Sequence, residues 1–136
     1  MVRKVIIIAI ACILIQDVYA QRLVDHSKAE ILAYMKTEKP TFALDNSSVN
    51  TTFKYLKYVD KTNEETLFCF LSDKDVCTMT RLLGDYESLD EKIRSLDNDC
   101  SRTGKDQWTY TEKGQRYTLK LKRDKWYYIL ETTREK

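Results

Sequence analysis

The sequence predicts one β-rich α+β domain, an antiparallel meander or a small barrel with one or two helices. Two stretches carry this prediction. Residues 107–133 alternate apolar and charged side chains with a period of two, and residues 85–97 place apolar side chains at helical spacing. A period of two gives a strand one apolar face and one polar face. The rest of the chain is therefore expected to cover the apolar face of a sheet.

The first 20 residues have the features of a secretory signal peptide. Arg3 and Lys4 form a positive start, residues 5–15 are apolar, and small residues precede an expected cleavage site after Ala20. An apolar run of this length is too short to span a bilayer comfortably, so an uncleaved anchor is the less favoured alternative. We expect residues 21–136 to be one secreted, extracellular domain without membrane association.

The charge balance argues against a nucleic-acid partner. The whole chain has 23 basic and 21 acidic residues, and without the leader these numbers fall to 21 and 20, a net charge of +1. A surface that binds phosphates usually has a clear basic excess. The basic row Arg116, Lys120, Lys122, Arg123 and Lys125 is a possible site for an acidic partner or glycosaminoglycan, but a solvated sheet face is the favoured interpretation.

The folded domain is expected to begin with a helix over residues 27–36. Ser27 and Glu30 have the spacing of a capping box, and Pro40 lies beyond the last apolar position. A first strand over residues 31–37 is the alternative. A short strand is predicted over residues 41–44.

A polar segment follows, with two consensus sites for N-linked glycosylation. Asn46 and Asn50 each begin an Asn-x-Ser/Thr sequence. In a secreted protein such sequences in an exposed loop are acceptors for glycans, so we expect a glycoprotein.

The remaining elements follow from periodicity and from turn residues. Residues 52–59 and 66–71 are predicted to form a hairpin, with a further strand over residues 76–82. The helix at 85–97 comes next, and residues 100–105 are expected to be a loop. Turns at residues 112–114 and 123–125 divide the final stretch into three antiparallel strands.

Three cysteines follow the leader, which predicts one disulfide bond and one remaining thiol in an oxidising compartment. The favoured pair is Cys77–Cys100, because both residues are next to polar, loop-like residues. Cys69 lies within an apolar strand, and Cys69–Cys100 is the competing pair. The remaining thiol makes either a monomer or a disulfide-linked dimer possible.

Catalysis, a metal site and a cofactor are not expected. His26 is the one histidine of the chain, and there are only three glycines. These counts exclude a zinc site built on two or more histidines and leave no glycine-rich phosphate loop. Adjacent carboxylates such as Glu64 and Glu65 fall in a polar turn, where they are usually solvated charges.

The aromatic side chains of the strands suggest binding instead. Most of them must form the core, but a cavity lined by some of them would suit a small apolar or cationic ligand. A cationic amine requires a carboxylate beside aromatic faces. The candidate ligand-binding residues are therefore Trp108, Tyr110, Tyr128 and Glu131, with Glu112 as a second choice for the carboxylate.

The order of these features resembles the salivary lipocalins of ticks, including the histamine-binding type. The resemblance lies in the helix sequence Ile31-Leu32-Ala33-Tyr34-Met35, in residues 50–56, and in the cysteine-bearing strand that follows a charged turn. It implies a secreted trap in saliva for a small host mediator, such as a biogenic amine or a lipid. The alternative is a cystatin-like fold or an orphan effector that binds a host protein through its surface. The Gln-x-Val-x-Gly loop of cystatins is absent from the sequence.

Overall fold

The computed structural model describes residues 22–46 and 54–136. The predicted leader, Asn50 and the start of the predicted strand 52–59 lie outside these residues. The helices are α1 (Lys28–Glu38) and α2 (Leu89–Asp99), the latter preceded by a 3₁₀ turn over Tyr86–Ser88. The strands are β1 (Ala43–Leu44), β2 (Tyr55–Asp60), β3 (Glu65–Leu71), β4 (Cys77–Asp85), β5 (Ser101–Gly104), β6 (Gln107–Glu112), β7 (Gln115–Arg123) and β8 (Tyr127–Arg134).

The strands form one open antiparallel sheet. Its order is β1-β2-β3-β4-β8-β7-β6-β5, so two four-stranded meanders join where β4 pairs with β8. The described strands β1 and β5 form its two edges and do not pair with each other. The predicted β-rich α+β class and the antiparallel meander are confirmed. The described strands do not close into the small barrel that was the predicted alternative.

The helix boundaries refine the sequence predictions. At α1 the capping box is present: the Glu30 amide donates to the Ser27 hydroxyl at 3.2 Å, and the Ser27 amide donates to the Glu30 carboxylate at 3.3 Å. The alternative of a strand over residues 31–37 is wrong. The second helix begins at Leu89, not at residue 85, because β4 continues to Asp85 and the 3₁₀ turn follows it.

Residues 101–104 form strand β5, where a loop was expected. All four side chains are exposed, so this edge strand carries no alternation of apolar and polar residues. Its backbone pairs with β6, with Ser101 opposite Thr109 and Arg102 opposite Trp108. Strand β5 is therefore defined by its backbone pairing with β6 and not by its own side chains.

One face of the sheet, here called the inner face, forms the core with the two helices. The alternation in β6, β7 and β8 places Trp108, Leu119 and Leu130 on this face, each at most 1% exposed. Helix α1 adds Ile31 and Met35, and α2 adds Leu89 and Leu96. Full burial of one such side chain stabilises the fold by about 1.5–3 kcal/mol. Both helices are thus held on the same face of the sheet.

The segment before α1 is attached to the start of β4. The Asp25 amide donates to the Cys77 carbonyl at 2.7 Å, and the Cys77 amide donates to the His26 carbonyl at 2.8 Å. From strand β7, the Tyr117 hydroxyl also donates to the Asp25 carboxylate, at 2.7 Å. These contacts fix where α1 starts and so how it lies across the sheet. None of the described helices is long and apolar enough to cross a membrane.

Candidate functional site

A cavity of about 130 Å³ lies between the inner face of the sheet and the two helices. The end of α1 and the segment after it form one wall, and the sheet forms the floor. The β2–β3 turn and α2 complete the surround. The lining residues are Met35, Lys39, Thr41, Phe42, Asp60, Asn63, Glu65, Leu67, Thr80, Leu82, Lys92, Leu130 and Thr132.

Most of the cavity wall is apolar because it is a continuation of the core. Leu67, Leu82 and Leu130 come from β3, β4 and β8 and are all buried. Two buried hydroxyl groups interrupt this surface: Thr80 and Thr132 lie directly opposite each other in the β4–β8 ladder. A hydroxyl oxygen can accept a hydrogen bond from a ligand, so the floor offers polar groups within an apolar surround.

Asp60 places a charged carboxylate against this cavity. Its side chain belongs to the last residue of β2 and is 1% exposed. Oδ1 accepts from the amides of Thr62 and Asn63 at 3.0 and 3.1 Å, and Oδ2 accepts from the Thr41 hydroxyl and the Asn63 amide group at 2.9 and 2.8 Å. All four donors are neutral. Burial pulls the pKa of Asp60 upward, but these hydrogen bonds outweigh it, and the net pKa lies below its ordinary value.

The Asp60 carboxylate has no ionic partner within the described residues. The ion pair at the cavity joins Lys92 Nζ to Glu65 Oε2 at 3.6 Å and leaves Asp60 unneutralised. Lys39, the other lysine of the lining, is half-buried. The lining therefore carries two lysines and two carboxylates: Lys92 pairs with Glu65, Lys39 adds a further positive charge, and Asp60 accepts only from neutral donors.

The four residues predicted to bind a ligand lie in separate places, and none of them lines this cavity. Trp108 is fully buried, and its indole N–H donates to Asp97 Oδ1 at 2.8 Å. Tyr128 is also fully buried, and burial raises its pKa to about 12. Both side chains serve the core that joins the helices to the sheet.

Tyr110 belongs to a second aromatic group, under the segment that precedes α1. Its ring stacks on Tyr117 with centroids 4.8 Å apart, and the Arg22 guanidinium lies 4.7 Å from its centroid. Burial raises the pKa of Tyr110. Glu112, the second-choice carboxylate, lies 3.9 Å from the His26 ring at the same end of the sheet.

Glu131 lies on the opposite, outer face of the sheet. It accepts from Arg81 at 3.0 Å and lies 3.7 Å from Lys122 Nζ. The strand alternation separates it from Tyr128 and Leu130, whose side chains point to the inner face. Glu131 is therefore an ion-pairing residue of the outer face and not a neighbour of the cavity.

The basic row in and after β7 is largely ion-paired. Arg116 pairs with Glu135 at 3.2 Å, Arg123 with Asp106 at 2.5 Å, and Lys122 with Glu131. Lys125 lies over the exposed Trp126 ring at 5.4 Å. These internal partners favour a solvated face over a site for an acidic partner.

The described cysteines form no disulfide bond in the structure, and the predicted pairing stays a prediction. The three described cysteines are free thiols, so neither Cys77–Cys100 nor Cys69–Cys100 is bonded in the structure. Cys69 and Cys77 are both buried on the inner faces of the adjacent strands β3 and β4, and the Cys77 thiol raises the pKa of Cys69. Cys100 instead follows α2, where its amide donates to the Leu96 carbonyl at 2.8 Å.

Of the two predicted glycosylation sites, Asn46 is described and exposed, and Asn50 lies outside the described residues. Glycosylation of either site remains a prediction. In the described part of the chain, no three His, Cys, Asp or Glu side chains are arranged to hold a metal ion.

Asp60 was not among the predicted ligand-binding residues, because the predicted strand ended at residue 59 and Asp60 was assigned to the polar turn after it. Leu56 and Tyr58 alternate onto the inner face, and the same period of two places residue 60 there as well. The Asp60–Asn63 spacing of the turn was the second available signal, because an aspartate at the start of a turn accepts from the backbone beyond it.

Comparisons with protein-family models, with curated proteins and with solved structures find no match for this chain.

Proposed function

We propose that this protein is a secreted, non-enzymatic binding protein that holds a small amine in the cavity between the sheet and its two helices. The observation that carries the proposal is the buried Asp60 carboxylate, charged and without an ionic partner among the described residues, beside a mainly apolar cavity. Buried charges in proteins are usually paired, and a cationic ligand would supply the missing charge.

The attraction on such a ligand acts mainly through space. A carboxylate has about four acceptor sites, and Asp60 uses them on Thr41, Thr62 and Asn63. A unit charge about 5 Å away would still be attracted by ~3 kcal/mol at an effective dielectric constant of about 20. The Thr80 and Thr132 hydroxyl groups are then the acceptors available for the hydrogen atoms of the ammonium group.

The size of the cavity favours an amine over a lipid. A cavity of about 150 Å³ holds one benzene molecule, whereas pockets for drug-sized ligands span about 300–1,000 Å³. The volume of about 130 Å³ lies below both figures and therefore suits a ligand no larger than a single small ring, and not an acyl chain. The resemblance to tick salivary lipocalins implies either a biogenic amine or a lipid as the ligand in saliva, and the size of the cavity favours the amine.

Calorimetric titration with histamine, serotonin and a fatty acid tests this proposal. Tryptophan fluorescence is a poor probe here, because neither Trp108 nor Trp126 lines the cavity. We expect histamine to bind and the fatty acid not to bind. Asp60→Asn should weaken histamine binding at least tenfold, since it removes the charge and keeps the shape of the side chain.

Asp73→Asn is the matched control, because Asp73 is exposed and does not line the cavity. It makes the same chemical change and should leave the affinity unaltered. Absence of heat with every amine would overturn the proposal. Equal affinity in wild type and in folded Asp60→Asn would overturn the role of Asp60.

A second candidate function is the binding of a host protein through the outer face. Tyr55, Phe68 and Phe70 form a half-buried aromatic cluster there, with ring centroids 5.8–6.3 Å apart. Arg81 lies 5.6 Å from the Phe70 centroid, and no described helix covers this face. Aromatic residues and arginine are enriched in protein interfaces. Capture of a host protein that Phe70→Ala abolishes and Lys105→Ala does not would favour this function.

A further inference from the structure

Cys69 and Cys77 lie side by side on the inner face of adjacent strands. In the β3–β4 ladder Cys69 is opposite Thr80, and Leu71 is opposite Cys77, with a register shift between Phe70 and Leu71. Both cysteines are 0% exposed. The nearby Cys77 thiol is the largest cause that raises the pKa of Cys69, and the Cys77 thiol donates to the Met79 carbonyl at 3.5 Å. Continued without this shift, the ladder would place Cys77 opposite Ser72 and on the outer face, so the irregular register puts Cys77 on the same face as Cys69.

We propose that Cys69 and Cys77 form an intramolecular disulfide bond when the chain folds in an oxidising environment, leaving Cys100 as the free thiol. Both side chains lie on the same face of adjacent strands, within reach of each other, and a disulfide bond requires the sulfur atoms to approach to about 2 Å. Cys100 lies elsewhere, at the end of α2 and close to Arg22 and Asp99. The favoured partner of Cys77 is therefore its neighbour across the ladder and not the more distant cysteine in the sequence.

The oxidant for this step is a small disulfide, such as glutathione disulfide. The thiolate of one cysteine attacks it, forms a mixed disulfide and releases one glutathione thiolate. The thiolate of the second cysteine then attacks the protein sulfur of the mixed disulfide and releases the second glutathione. Two electrons pass from the cysteine pair to the glutathione disulfide, and the two thiol protons end on the two glutathione molecules. Because both residues are buried in the folded chain, the exchange takes place while the strands assemble.

The bond would stabilise the attachment point of α1. Its loop spans residues 69–77, and the end of that loop carries the docking contacts of the segment before the helix. The Lys28 amide donates to the Asp75 carbonyl at 2.8 Å, Ser27 forms a bridge with Val76, and His26 and Asp25 bond to Cys77. A covalent link at Cys77 would hold these backbone groups at a fixed distance from β3.

Tryptic peptide mapping can identify the linked pair directly, because Lys74 lies between the two cysteines. The full chain is produced in insect cells, which process any leader themselves, and is then unfolded, reduced and refolded in the presence of glutathione disulfide. After alkylation of free thiols and digestion without reductant, each cysteine falls in a separate peptide: residues 62–74, 75–81 and 95–102. We expect the peptide of residues 62–74 to be linked to that of residues 75–81, and the peptide of residues 95–102 to be alkylated.

A link from residues 95–102 to either of the other peptides would overturn the proposal. Alkylation of all three peptides would overturn it as well. Cys100→Ser provides an independent check that retains both proposed partners: it should keep the same linked peptides and show no free thiol after denaturation. Persistence of two free thiols in that variant would contradict the pairing. Mapping of the wild-type chain depends on no variant and is unaffected if Cys69→Ser or Cys77→Ser fails to fold.

Discussion

Gly84 lies directly opposite Tyr128 in the β4–β8 ladder, and the Tyr128 ring occupies the space that a side chain at position 84 would require. A Cβ atom at this position would overlap the ring, and the fully buried Tyr128 has little room to move. Gly84→Ala should therefore destabilise the protein by about 1–3 kcal/mol, the usual cost of overpacking a core. Urea denaturation followed by far-ultraviolet circular dichroism measures this loss.

Gly104→Ala is the control for this substitution. Gly104 is exposed at the end of β5, and an added Cβ would lie 3.6 Å from Gln107 Cβ, an ordinary contact distance. Its effect should stay within about 0.5 kcal/mol of wild type, as is usual at exposed positions. A similar loss in both variants would show that overlap with Tyr128 is not the cause, since the lower flexibility of the unfolded chain would by itself stabilise both variants.

Tyr128 should also make the protein sensitive to alkaline pH. Burial raises its pKa from the ordinary tyrosine value of about 10 to about 12 in the folded state. A raised pKa contributes stability that is present below the unfolded value and is lost as the pH rises towards the folded value. Between pH 9 and pH 11 the free energy of unfolding should fall by ~1 kcal/mol through this residue.

Urea denaturation at a series of pH values tests the prediction with Tyr128→Phe, which lacks the ionising group. This variant should lose less stability between pH 9 and pH 11 than wild type. Tyr55→Phe is the comparison, because Tyr55 is half-buried on the outer face. If Tyr128→Phe kept the full alkaline slope, ionisation of Tyr128 would not be its source.

At acid pH, protonation of Asp60 should lower the free energy of unfolding. Its pKa is lower in the folded protein than its ordinary value. Such a group contributes stability above the unfolded pKa, near 4, and that contribution is lost as the pH falls through the folded pKa. Asp60→Asn should cost about 1–3 kcal/mol at pH 7, because charged hydrogen bonds to four donors are replaced by neutral ones.

The difference between wild type and Asp60→Asn should shrink as the pH falls below about 4. Thermal unfolding at pH 7, 5, 4 and 3 measures it, with Asp73→Asn as the variant of equal charge change at an exposed site. A gap that stays constant down to pH 3 would show that the carboxylate is not stabilised in its charged form. The same experiment verifies that Asp60→Asn is folded at pH 7, which its use in ligand titration requires.

The sequence predicted the elements that have a strong side-chain period and missed those that do not. Trp108, Leu119 and Leu130 alternate with polar residues, so their strands and buried face followed directly. Strand β5 has four exposed residues and is defined by its backbone pairing with β6, which a single sequence does not reveal. The pairing of β4 with β8 joins residues far apart in the chain and carries no local signal either.

The candidate site was harder to predict because tertiary packing decides which buried residues border a cavity. Trp108 and Tyr128 were correctly expected on the apolar face, but the helices fill the space beside them. Asp60 reaches the cavity through strand alternation, although its turn appeared to be solvated. Cys69 and Cys77 meet through a register shift, and a shift of this kind is not encoded in the spacing of the cysteines.

The β6–β7 turn offers a substitution that should stabilise the protein. Lys113 and Gly114 connect the paired residues Glu112 and Gln115 and have φ angles of 51° and 77°. Two-residue hairpin turns with positive φ at both positions favour Asn-Gly, because asparagine tolerates the left-handed conformation better than lysine. Lys113→Asn should therefore raise the free energy of unfolding by roughly 0.5–1 kcal/mol.

Lys105→Asn is the control, because Lys105 lies in the neighbouring β5–β6 turn and does not have a positive φ angle. It should give no such gain in the same urea denaturation series. Equal stabilisation by both variants would assign the effect to the loss of a positive charge and not to the backbone of the turn.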